Sequence, residues 1–98
     1  MTRGFIRLMF DVHCDWHGIP PNYRVYVNDE LFTERTYNLT DAYLEEMLQI
    51  EAPPGNYTIS CEIVPPAMAS LRVENMRVDF GPGWVENNSV LRISDEVA

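Results

Sequence analysis

Ninety-eight residues at 46% hydrophobic and 22% charged suit one ordinary globular domain, large enough to bury a core without metal or disulfide staples. The formal net charge is −8, and all seven basic residues are arginines, scattered singly at Arg3, Arg7, Arg24, Arg35, Arg72, Arg77 and Arg92. That pattern supplies no basic stripe for a phosphate backbone and discourages contact with anionic membranes, so neither nucleic acid nor membrane is an expected partner.

No apolar run approaches the roughly 18 residues of a membrane span. The opening Met1-Thr2-Arg3-Gly4-Phe5 shows no signal-peptide pattern, so a cytoplasmic location is expected. The first element is a half-buried strand over residues 5–12, where Ile6, Leu8, Phe10 and Val12 alternate with Phe5, Arg7, Met9 and Asp11. A loop is expected over Asp15–Asn22, because Gly18 and Pro20-Pro21 forbid a regular ladder. Tyr23–Asn28 and Leu31–Tyr37 then read as a hairpin turning at Asn28-Asp29-Glu30.

Residues 41–51 are ambiguous. As a helix capped by Thr40, they would align Tyr43, Met47 and Ile50. As a strand, they place Leu44, Leu48 and Ile50 on one face, with Glu46 interrupting it. Helix propensity favours the first; the strand–turn spacing on both sides and the Pro53-Pro54-Gly55 turn favour the second. The expectation is a strand, with at most one short helix here.

Tyr57, Ile59, Cys61 and Ile63 form an alternating strand that ends at Pro65-Pro66. Next, Leu71 and Val73 keep one phase, while Met76, Val78 and Phe80 keep the other. A slip of one residue at Glu74-Asn75 is the mark of a β-bulge. After a turn at Gly81-Pro82-Gly83, a last strand runs near Ser89–Ser94 with Leu91 and Ile93 inward. About seven short strands and frequent turns predict an all-β, antiparallel β-sandwich of jelly-roll type, in one unit over residues 1–98.

Two cysteines make no disulfide framework; Cys61 reads as a core thiol, and a Cys14–Cys61 bond would require neighbouring strands. His13-Cys14-Asp15-Trp16-His17 is the densest polar cluster. His13, Cys14 and His17 have metal-ligand chemistry, although no zinc spacing is present. Adjacent residues of an extended chain face opposite ways, so His13 and Cys14 are poorly placed as a base and nucleophile. With no oxyanion loop or serine elbow, the expectation is a non-enzymatic protein without a cofactor.

Trp16 and Trp84 fall in expected loops, and Tyr26 lies on the polar face of its strand. Such rings anchor protein interfaces, stack on sugars beside carboxylates, or lid the ends of a sandwich. Trp16, Trp84, Tyr26 and Arg35 are the candidate binding residues. The leading expectation is a protein partner, or a second copy, held through a sheet edge or aromatic loop. The alternative is a glycan, with calcium as its conceivable companion ion.

The run Arg24-Val25-Tyr26-Val27-Asn28-Asp29-Glu30-Leu31-Phe32-Thr33-Glu34-Arg35-Thr36, with Tyr43-Leu44-Glu45-Glu46 and Pro53-Pro54-Gly55-Asn56-Tyr57, resembles small uncharacterised β-sandwich proteins of tailed marine phages, of cyanophage type. About half the chain carries the resemblance, and it brings no assigned active residues. It implies a phage-encoded protein of the infected bacterial cytoplasm or the virion. The layout is also similar to carbohydrate-binding β-sandwich modules.

Overall fold

Period-two burial sets the architecture. In the computed structural model, which describes residues 4–40, 42–65 and 68–94, strand β1 (Gly4–Trp16) buries Ile6, Leu8, Phe10 and Val12 on one face. It is the central strand of a three-stranded antiparallel sheet, between β4 (Leu44–Ala52) and β6 (Ala69–Phe80). The second sheet has five strands, in the order β3 (Glu30–Thr36), β2 (Asn22–Val27), β5 (Gly55–Ile63), β8 (Val90–Ile93) and β7 (Gly83–Glu86). Both sheets are antiparallel. Their inner faces enclose one core of Ile6, Leu8, Phe10, Val12, Tyr23, Val25, Leu48, Ile50, Ile59, Leu91 and Ile93, with Tyr37 closing one end. Each large apolar side chain sealed there contributes about 1.5–3 kcal/mol by leaving water. The fold is therefore the expected antiparallel β-sandwich.

Residues 44–52 resolve the ambiguous stretch as a strand, β4, and no helix occurs among the described residues. Helical propensity loses because β1 needs a partner along its length. From Gly4↔Ala52 to Val12↔Leu44 the two strands pair without a register shift. Glu46, Leu48, Ile50 and Ala52 point inward from β4, so a charged residue occupies a core position. Asp41 lies outside the described residues.

Eight strands are present among the described residues, one more than the expected count. The added strand, β7, pairs with β8 through Gly83↔Ile93 to Glu86↔Val90. Asn87 and Asn88, with φ of 53° and 55°, make a tight turn between them. Asn28 and Asp29, with φ of 51° and 67°, do the same for the β2–β3 hairpin. Both are type I′ turns, whose twist matches that of the flanking strands.

Strand β6 carries two irregularities against β1. The shift between Met9↔Arg77 and Asp11↔Glu74 is the expected bulge, and Asn75 has a φ of 54° there. A second shift lies between Arg7↔Phe80 and Leu8↔Val78. This one turns Phe80 out of the phase it would share with Met76 and Val78. Its ring is exposed, meets Phe5 edge to face at 6.1 Å, and lies 5.8 Å from the Arg7 guanidinium. Gly81 follows with a φ of 109°; a Cβ there would sit 2.1 Å from the Phe5 carbonyl oxygen, so glycine alone fits this close approach.

Cys14 on β1 and Cys61 on β5 belong to different sheets and are free thiols. Burial raises the pKa of both, that of Cys61 to about 12. Neither is an activated nucleophile.

Candidate functional site

Unequal strand lengths leave a hollow at one end of the three-stranded sheet. β1 runs 13 residues and β6 12, but β4 only nine. Beyond Val12↔Leu44 the β4 side of the sheet peels away, while β1 and β6 stay paired through His13↔Arg72 and Asp15↔Ser70. The gap is an open hollow of about 600 Å3. His13, Cys14 and Asp15 of β1 and Ser70, Leu71 and Arg72 of β6 line it, with Ala42 and Tyr43 just before β4. The His13 imidazole stacks on the Tyr43 ring, with centroids 5.3 Å apart and planes inclined by 27°. Behind it, Glu74 Oε1 lies 3.4 Å from His13 Nε2 and 3.2 Å from Arg72 Nε. One carboxylate therefore orients both the ring and the guanidinium.

A second polar constellation lies inside the sandwich. Tyr23 Oη donates to Glu46 Oε2 at 2.5 Å, and Arg35 Nε donates to Glu46 Oε1 at 2.5 Å. Glu46 is 2% exposed, and Arg35 reaches it from β3, where it pairs with Tyr23 across the ladder. Burial, reinforced by the bond to Glu46, pushes the Tyr23 phenol well above its ordinary value. The cluster is closed on itself: both carboxylate oxygens accept a bond, as a charge in a low-dielectric core requires.

The third feature is the outer edge of the five-stranded sheet. β3 is the terminal strand, and all its residues except Thr33 are exposed. Leu31 and Phe32, 57% and 43% exposed, line an apolar cleft of about 360 Å3 with Val27, Ile50, Ala52 and Tyr57. Glu30 also lines it, and the neighbouring Asp29 is exposed. No family model, no curated protein and no solved structure matches the chain.

The four candidate binding residues take separate places. Trp16 ends strand β1 instead of lying in the loop expected for it. Its ring packs against the core and its Nε1 donates to the Leu39 carbonyl at 2.9 Å, so it lids one end of the sandwich. Trp84 lies in β7, also not in a loop; it is 51% exposed, and its Nε1 donates to Glu86 at 3.3 Å. Tyr26 shares the outer face of the same sheet and donates to Glu62 at 2.7 Å. The pairings Tyr26↔Ser60 and Asn56↔Arg92↔Trp84 set the two rings three strands and four residues apart. That is about 14 Å across and about 13 Å along the strands, too far to form one platform. Arg35 is engaged with Glu46.

The three metal-ligand candidates are not brought together either. His13 and Cys14 both border the hollow, but as successive residues of β1 they direct their side chains to opposite faces of the strand. His17 belongs to a separate apolar groove with Ile19, Pro20 and Met68. Among the described residues, no group of three or more His, Cys, Asp or Glu is placed to hold a metal ion.

Sequence reasoning passed over Tyr43, Arg72 and Glu74 at the hollow. Their meeting with His13 depends on long-range register, which no local spacing announces. Glu46 did give a signal, as the one acid on an otherwise apolar strand face.

Proposed function

We propose that the chain is a non-enzymatic interaction module that takes a partner strand on the free edge of β3. The observation that carries this reading is the state of β3 itself. It is a seven-residue terminal strand with a row of unpaired backbone groups and two large apolar side chains turned to solvent. Native proteins shield such edges by shortening, bulging or covering them. β7 is short and β6 is bulged twice; β4 is regular, but three of its four exposed side chains are Glu45, Gln49 and Glu51, whereas β3 carries only the shift at Val25/Tyr26 and exposes Leu31 and Phe32. An added strand would cover Leu31 and Phe32 and continue the sheet.

Charge states the partner's chemistry. Each of the six described arginines already lies within ion-pair distance of a carboxylate. Glu30 lines the cleft with the exposed Asp29 next to it in sequence, so the complementary strand alternates apolar residues with lysine or arginine. The test is a titration of the ¹⁵N-labelled protein with two synthetic alternating peptides, Lys/Val and Glu/Val. The basic peptide is expected to shift the β3 amides, the acidic one to leave them unmoved, and Phe32→Lys to abolish the shifts. Equal response to both peptides, or none to either from a protein that sediments as a monomer, overturns the reading.

A further inference from the structure

The sandwich has an open side, where β3 and β4, each the edge strand of its own sheet, come together. One end of that seam is bridged, because Arg35 of β3 reaches Glu46 of β4. At the other end, Leu31 and Phe32 of β3 and Ile50 and Ala52 of β4 border the cleft of about 360 Å3. The inward residues of β4 show why the seam stays open there. Glu46, Leu48 and Ile50 extend toward the opposite sheet, whereas Ala52 ends at its Cβ. The step from isoleucine to alanine leaves the gap between the sheets unfilled at this point.

Ile50 and Ala52 belong to the buried core, so the cleft opens into it. Tyr57 also lines the cleft, and its hydroxyl donates to the Pro53 carbonyl. That bond holds the ring before anything enters, which lowers the ordering cost of binding. The volume lies at the small end of the range for small-molecule sites, a size that one aromatic or long aliphatic group fills.

Strand addition brings such a group to this place. A strand paired to β3 lies about 4.8 Å beyond it and turns alternate side chains toward the inside of the sandwich. Side chains directly opposite on neighbouring strands stand about 4.5–5.5 Å apart. An inward residue of the added strand beside Leu31 and Phe32 therefore borders the same cleft. Charge separates this occupant from an anionic amphiphile such as a fatty acid. The Glu30 carboxylate at the cleft and the exposed Asp29 next to it repel a carboxylate head, and they suit the lysines or arginines that flank the anchor in a basic strand.

We propose that this cleft is the anchor pocket of the β3 edge, taking one aromatic or long aliphatic side chain of a basic partner strand between the two sheets. The pocket rests on the strand-addition reading and adds to it the residue that the partner must carry.

The probes are alternating Lys/Val peptides that differ only at one central valine, kept or replaced by alanine, leucine or tryptophan. Binding is followed by nuclear magnetic resonance at the β3 amides, the Ala52 methyl and the Tyr57 ring. The tryptophan peptide is expected to bind at least about tenfold more tightly than the alanine peptide, with leucine between them, and to shift Ala52 and Tyr57. Ala52→Leu fills the cleft and is expected to abolish that preference while the alanine peptide binds as before. A dispersed amide spectrum confirms the fold of the variant; where Ala52→Leu does not fold, Ala52→Val, a smaller intrusion, serves in its place and is expected to reduce the preference. Equal affinity across the peptides, with the β3 amides still shifting, overturns the anchor and leaves strand addition standing. A folded variant that retains the full preference also overturns it, as does free indole that shifts Ala52 and Tyr57 at the same concentration as the tryptophan peptide. The absence of shifts with every peptide overturns strand addition, and the anchor with it.

Discussion

The Arg35 guanidinium and the Glu46 carboxylate come from different sheets and meet at 2.5 Å, with the acid 2% exposed and the base 46%. Tyr23 holds the second carboxylate oxygen. β3 is otherwise open to solvent, so this pair clips the edge strand to the sheet opposite. Removing the cation would leave a buried charge with one neutral donor, a situation that costs about 3–5 kcal/mol when fully buried. Because Arg35 is half exposed, water can replace part of what is lost. Arg35→Met is therefore expected to destabilise the fold by about 2 kcal/mol in urea denaturation. The triple variant Tyr23→Phe, Arg35→Met, Glu46→Leu removes every member of the cluster and is expected to lie within about 1 kcal/mol of wild type. An Arg35→Met midpoint equal to that of wild type would show that the clip is ornamental.

The fold was readable because burial here follows a period of two with few exceptions. Ile6 to Val12, Ile59 to Ile63 and Leu91 with Ile93 all announced their faces. The exceptions share a physical cause, a local pattern overridden by a distant contact. Glu46 broke the face of β4 because its partners, Tyr23 and Arg35, come from the other sheet. Phe80 left its expected phase because a second bulge sets in only where β6 passes Arg7. The hollow was half visible: His13 and Asp15 stood out as polar residues near a strand end. Tyr43 and Arg72 did not, since only the β1–β4 and β1–β6 registers bring them alongside.

Alkaline stability should report on the core thiol. Burial, with the nearby Glu46 charge, raises Cys61 from its ordinary 9.0 to about 12. The thiol is neutral when protonated, so the folded state keeps a proton that the unfolded state releases above pH 9. The contribution is fully present below pH 9 and is lost as pH climbs toward 12. A single such group gives a slope of up to about 1.4 kcal/mol per pH unit. Tyr23, also raised, adds to the decline above pH 10. Stability measured by denaturant titration from pH 8 to 11 is expected to fall, and to fall less steeply in Cys61→Val. Parallel profiles for the two proteins would rule out this role for the thiol.

The β2–β3 turn leaves room for improvement. Asp29 sits at a φ of 67°, a backbone region that costs an L-residue energy and glycine none. Its neighbour Asn28 is different, because Asn28 Oδ1 accepts from the Thr58 amide at 2.8 Å and ties the turn to β5. Asp29→Gly is expected to stabilise the protein by about 0.5–1 kcal/mol, the gain of a preferred Asn-Gly type I′ turn. Asn28→Gly is expected to destabilise it, because the Thr58 amide loses its partner. Thermal unfolding of the two variants separates the effects by sign.

The β7–β8 turn repeats this contrast with a consequence for the other sheet. Asn87 and Asn88 have nearly equal φ values, 53° and 55°, so backbone preference alone would make both glycine substitutions favourable. Asn88, however, reaches across the sandwich. Its Oδ1 accepts from the Met76 amide at 2.7 Å, and its Nδ2 donates to the Val73 carbonyl at 2.8 Å. These are backbone groups on either side of the β6 bulge at Asn75, where the ladder to β1 is interrupted. The side chain thus supplies partners to two backbone groups of the edge strand β6 that flank its bulge. Leaving such groups without partners costs about 1–3 kcal/mol each where they are buried, and less where water reaches them. Asn87→Gly is expected to be neutral or stabilising by up to about 1 kcal/mol. Asn88→Gly is expected to destabilise the fold by about 1–2 kcal/mol net of its backbone gain, and to speed amide exchange at Met76 before any other β6 position. If both substitutions stabilise alike, the turn closes β7 onto β8 and nothing more, and the bulge is held by β1 alone.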